Sequence, residues 1–101
     1  MKAKAIELRD LAWQEWQDAS LHYELEMPRL GERFDSAVLK AIEDLIRVTC
    51  SFPERGNGFR YAPVTGFPYC IVFELTDGLA IVYSVFHMSR KPMRMRKKRR
   101  S

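Results

Sequence analysis

Little in this 101-residue chain supports thiol or metal chemistry: there are two cysteines and two histidines. Cys50 and Cys70 lack ligand-like or redox spacing, so they read as buried free thiols of a cytoplasmic protein, not as a disulfide framework. His22 and His87 belong to no recognisable ligand cluster, so neither a metal nor a cofactor is expected. Long apolar runs are missing too. The longest are strand-length, which leaves no candidate for a membrane span. The start, MKAKAIELRD, has basic residues with no apolar run behind them and does not resemble a secretory signal. No internal repeat and no second domain are visible. Hydrophobic residues make up 47% of the chain, which excludes a disordered protein and is enough for one modest core.

What is present centres on residues 67–92. The runs at 68–75 and 79–87 are rich in Val72, Phe73, Ile81, Val82, Tyr83, Val85 and Phe86, residue types that fill a pleated, largely buried surface. Between them stands Asp77-Gly78, a dipeptide suited to a tight turn. A central antiparallel hairpin is expected, with His87 and Arg90 delivered to the end of its second strand.

Upstream, residues 3–9 read as a short first strand with Ile6 and Leu8 on one face. Asp10 reads as the N-cap of a helix running to about Glu26. Trp13, Trp16, Ser20 and Tyr23 recur at helical spacing, with Leu21 and Leu25 widening the stripe, and helix-to-sheet packing is the expected use of both tryptophans. The segment 27–31, containing Pro28 and Gly31, breaks the helix. A second helix over 32–48 carries the apolar line Phe34, Val38, Ala41, Leu45 and Val48. A loop punctuated by Pro53, Gly56 and Gly58 leads into a strand over 59–64. Pro63 assigns that strand to an edge. The expected fold is therefore α+β, in the order β-α-α-β-β-β, with a short first strand and an αα-hairpin packed on a small antiparallel sheet. One domain over 1–92 is followed by a basic tail over 93–101, expected to be mobile.

The net charge of +4 hides an asymmetry. Over residues 90–100, eight of eleven are Lys or Arg and none is acidic; before them, nine basic residues face thirteen acidic ones. Such a tail suits phosphates or an acidic protein surface, with an effect that falls as salt rises. A solvated end that aids solubility is the plainer alternative.

The order of elements, the helix "LGERFDSAVLKAIEDL", the strand "FPYCIVFEL" and the ending "IVYSVFHMSRKP" together resemble the RelE/ParE superfamily of bacterial toxins from toxin–antitoxin pairs. The "FPY" and "H-x-S-R-K-P" wording is closer to the ParE-like branch. The resemblance implies a toxin held inactive by a cognate antitoxin, often acidic or partly disordered. It leaves two targets open: DNA gyrase for ParE-like members, and messenger RNA on the ribosome for RelE-like members.

Cleavage by a ribose 2′-hydroxyl needs a proton acceptor, a proton donor and positive charge on the phosphate. His87, Arg60, Arg90 and Glu54 are the candidates: His87 for proton exchange, the two arginines as phosphate forks, and Glu54 as a base. A strand-end cap for His87, an ion pair for Arg90 and a solvated edge position for Arg60 are the structural alternatives. Arg90, Lys91, Arg94, Arg96, Lys97 and Lys98 are the candidate antitoxin- or target-binding residues. Met88 stands where His-dependent relatives carry tyrosine, Tyr69 stands where they carry an arginine, and no lysine pair lies between Glu54 and Arg60. These departures favour inhibition of a protein target, such as gyrase, over a nuclease. A nucleic-acid-binding module, with Tyr61 or Phe59 stacking on bases and the tail on phosphates, and a purely structural interaction protein complete the alternatives.

Overall fold

Two residues set the centre of the fold. Asp77 and Gly78 both take positive φ, 50° and 78°, as the two central positions of a type I′ hairpin turn require. They join β3 (Tyr69–Thr76) to β4 (Leu79–His87), whose register runs from Thr76 opposite Leu79 to Tyr69 opposite His87. The computed structural model describes residues 5–47 and 58–89. Within them lie also β1 (Ala5–Leu8), α1 (Asp10–Glu26), α2 (Leu30–Arg47) and β2 (Arg60–Val64), so the order is β-α-α-β-β-β.

The four strands form one sheet in the order β1-β4-β3-β2. The hairpin is central and Pro63 lies in an edge strand, where its missing N–H breaks no central ladder. One feature departs from an all-antiparallel expectation: β1 runs parallel to β4, with Ala5 opposite Leu79 and Leu8 opposite Val82. The sheet is mixed because the chain leaves β1 into the αα-hairpin and reaches β4 only through β2 and β3.

Both helices lie on one face of the sheet. Phe34, Val38, Ala41 and Leu45 of α2 are buried against Ala62, Val64, Ile71, Phe73, Val82 and Val85. This is the predicted stripe at i, i+4, i+7 and i+11. From α1, however, only Ala12, Trp16 and Ala19 are buried, while Trp13, Leu21 and Leu25 are exposed. The inner face of α1 is therefore set by small residues that allow close approach to the sheet, with Trp16 and the partly buried Tyr23 as its large fillers. The helix also begins differently: Arg9 occupies the N-cap without a side-chain capping hydrogen bond, and Asp10 is the first helical residue, placing negative charge in the first turn.

The helix–helix junction is tight. Leu30 N–H donates to Met27 C=O at 3.1 Å, closing a turn with Pro28 and Arg29 at its centre and Arg29 at φ 73°. Gly31 lies inside α2, not in the break, and a Cβ there would meet the Ser20 carbonyl oxygen at 2.7 Å. The Glu24 carboxylate accepts from the backbone N–H of Arg29 and of Gly31, each at 3.0 Å. A side chain from α1 thus caps the N-terminus of α2, where unpaired donors and the helix dipole favour an anion.

Candidate functional site at the end of the last strand

His87 is the final residue of β4 and half-buried. Tyr69, directly opposite it on β3, meets the imidazole edge-on with ring centroids 5.2 Å apart. Tyr69 in turn packs on Phe34 at 5.0 Å and on Tyr23 at 6.1 Å, and Phe67 contacts both Tyr23 and Phe34 at 5.1 Å. This aromatic cluster joins both helices to the strand end that carries His87. Its packing acts on chemistry as well: burial, then the Tyr69 hydroxyl and Glu26, push the Tyr23 phenol above its ordinary value. The neutral phenol is favoured in the fold, so stability falls once pH rises past the ordinary tyrosine value.

The imidazole is held from its other side. His87 Nδ1 accepts from the backbone N–H of Ser89 at 3.1 Å, and Ser89 Oγ lies 2.7 Å from the same atom. An amide can only donate, so the neutral ring carries its proton on Nε2. Met88 N–H donates to Pro68 C=O at 2.8 Å and ties this segment to the turn before β3. Ser89 is absent from the sequence-based candidates. Its signal was the two-residue spacing from His87, which places a short polar side chain and an N–H within reach of Nδ1.

The second described candidate lies elsewhere. Arg60 opens β2 opposite Phe73, four positions along β3 from the Tyr69–His87 pair. At ~3.3 Å per residue and ~4.8 Å per strand, the two sit about 13 Å apart along the strands and about 10 Å across them. Arg60 and His87 share the helix-facing side of the sheet, where Ala62, Ile71 and Val85 fill the core between them. The meander does not bring these two side chains onto one phosphate. Glu54, Arg90, Lys91, Arg94, Arg96, Lys97 and Lys98 lie outside the described residues, as does Cys50; Cys70 is buried.

The opposite face of the sheet has its own aromatic group. Phe59 and Val72 are buried, with Tyr61, Tyr83 and Phe86 partly buried around them. Phe59 is held edge-on against Tyr83 at 5.3 Å, so its ring is not free to stack on a base. Arg9 lies over the Tyr83 ring at 5.5 Å, and the Tyr83 hydroxyl donates to Glu74 at 2.8 Å.

Glu15 is a further polar anchor absent from the sequence-based candidates. Val72 pairs with Ser84 whereas Phe73 pairs with Val82, which leaves Tyr83 as the extra residue of a bulge in β4. Pairing with β1 stops at Val82. Just beyond, the Glu15 carboxylate accepts from Ser84 Oγ–H at 2.6 Å and from Val85 N–H at 2.9 Å. α1 thereby supplies the acceptor where β1 has ended.

Charge is distributed to match. The described residues contain twelve Asp or Glu and six Lys or Arg, and Arg60 is the single Lys or Arg between Gly58 and Ser89. The described sheet therefore offers little to a polyphosphate chain. No described helix is long and apolar enough to cross a membrane.

No protein-family model and no curated protein matches the sequence. Among solved structures, a chain of the "Chromosomal ParDE TA system from P. aeruginosa" is similar, with a TM-score of 0.72 at 13% identity. The match covers 82% of this chain and 94% of that one. At that identity the similarity is one of fold: the β-α-α-β-β-β arrangement around a central hairpin is shared with a chain of a ParDE system.

Proposed function

We propose that this protein is the toxin of a toxin–antitoxin pair in the RelE/ParE superfamily, on its ParE-like side. It arrests growth by binding a protein target such as DNA gyrase, and a cognate antitoxin neutralises it. The carrying observation is the fold shared, over most of both chains, with a chain of a ParDE system. The preference for a protein target over RNA rests on the separation of His87 from Arg60 and on the single arginine of the described sheet. Phosphoryl-transfer chemistry requires an acid, a base and positive charge converging on one group, and those two side chains do not converge. The basic segment 90–100 supplies the electrostatic complement to an acidic antitoxin.

Controlled expression in bacteria, with and without the neighbouring small gene, tests this reading. Growth arrest rescued by the neighbour, with stalled replication and intact messages, is the expected result. Early message cleavage abolished by His87→Ala would assign the protein to RNA instead. Unimpaired growth with abundant folded protein would remove the toxin reading.

A further inference from the structure

The turn that ends β4 joins a hydroxyl to the candidate histidine. Ser89 Oγ lies 2.7 Å from His87 Nδ1, closer than the 3.1 Å of the Ser89 backbone N–H to the same atom. With Nδ1 the acceptor and the ring proton on Nε2, the hydroxyl hydrogen is directed at the imidazole and the oxygen lone pairs face outward. This is the donor-to-acceptor order of a nucleophile and its base, at their working distance. The ring is held for that role. Tyr69 packs on it edge-on with centroids 5.2 Å apart, and the Met88 N–H bond of 2.8 Å to Pro68 C=O pins the residue between the two partners. The amide bond alone satisfies the Ser89 backbone, so the hydroxyl is not needed to close the turn. Ser89 is exposed, which gives a reagent direct access to its oxygen.

We propose that Ser89 is an acylation site, with His87 as its general base, and that it takes a small acyl group from an activated ester. Ser89 Oγ attacks the acyl carbon while its proton passes to His87 Nδ1. The tetrahedral adduct collapses, the leaving oxygen departs with its electron pair, and the imidazolium returns the proton to that oxygen or to solvent. His87 is not itself the nucleophile: in the neutral ring Nε2 carries the proton, and the Nδ1 lone pair is taken by the two Ser89 donors. The exposed position sets the substrate class, since a serine at an open strand end grips no long acyl chain and suits a small, already activated group. An open turn does not fix a water for the return step, so the ester persists and each chain is acylated once. The plainer role, a turn cap, uses only the amide and predicts an unreactive hydroxyl. This chemistry is separate from the toxin reading and does not depend on it.

The test incubates the full-length protein with p-nitrophenyl acetate at neutral pH and maps acetyl groups by peptide mass spectrometry. Hydroxylamine separates esters, which it removes, from the amides formed at lysines. Ser89 should gain a hydroxylamine-labile acetyl group about tenfold or more faster than Ser36, an exposed serine of α2. That comparison is made within the unaltered protein and needs no variant. His87→Gln keeps an acceptor for the Ser89 amide but removes the base, and should slow acetylation of Ser89 by about tenfold or more. Ser89→Ala should abolish the ester and, because it removes only an exposed hydroxyl, keep the unfolding midpoint. Acetylation of Ser89 no faster than that of Ser36, or a rate unchanged by His87→Gln, would overturn the proposal and leave the pair as a turn cap. A labile acetyl group at this turn that survives Ser89→Ala would overturn it too, placing the acyl group on His87.

Discussion

The two helices of the hairpin are nearly equal in length and reach stability by different means. α2 places Phe34, Val38, Ala41 and Leu45 on one buried line. α1 buries two alanines and one tryptophan, packs the partly buried Tyr23 on the core, exposes Trp13, Leu21 and Leu25, and is fastened by polar contacts as well. Trp16 Nε1–H donates to Asp35 at 2.9 Å, Glu15 holds the bulged edge of β4, and Glu24 caps α2. Burial in α2 is non-directional and proportional to area, whereas the anchors of α1 depend on individual partners. The difference implies that α2 depends on burial along one line, while α1 depends on a few individual partners and leaves part of its apolar surface uncovered.

The largest effect that would break this comparison is at Phe34. Phe34→Ala should cost about 3–5 kcal/mol by urea unfolding, because the side chain is fully buried between helices and sheet. Leu25→Ala on α1 should stay within about 0.5 kcal/mol. Equal costs would mean that the outer face of α1 is covered within the monomer. Next comes Glu15→Ala, which leaves Val85 N–H and Ser84 Oγ–H without this acceptor and should cost about 2–3 kcal/mol. Faster amide exchange at Val85 than at Ile71 would locate the loss at the bulge. Gly31→Ala follows, at about 1–3 kcal/mol, since the new Cβ meets a backbone carbonyl that cannot rotate away. A neutral result would show that the helices separate at little cost.

The contrast also explains what could be read from the residues alone. α2 was legible because its apolar residues form one stripe, so only one face can turn inward. In α1 the apolar residues go round the helix, and Trp13–Trp16–Ser20–Tyr23 and Ala12–Trp16–Ala19–Tyr23 are both plausible inner faces. The sheet chose the second because alanines permit closer approach. The hairpin and the edge strand were legible because Asp77-Gly78 and Pro63 restrict the backbone itself. The parallel pairing of β1 was not, since four residues carry no signal of direction. At the candidate site, the position of His87 at a strand end was readable. Its distance from Arg60 was not, because that depends on a register set only when all three strands pair.

The smallest effect lies where the two helices meet. Arg29 takes φ 73°, a left-handed conformation that costs a residue with a Cβ about 1 kcal/mol and glycine almost nothing. Its backbone N–H donates to Glu24, and the following N–H closes the turn on Met27, so neither bond requires the arginine side chain. Arg29→Gly preserves both and removes the strain, though it also enlarges the freedom of the unfolded chain. The net expectation is a gain of about 0.5 kcal/mol, seen as a rise of a few degrees in Tm. A drop in Tm instead would mean that the exposed guanidinium contributes more than the backbone loses. The junction would then be held by charge, like the rest of α1, and not by turn geometry.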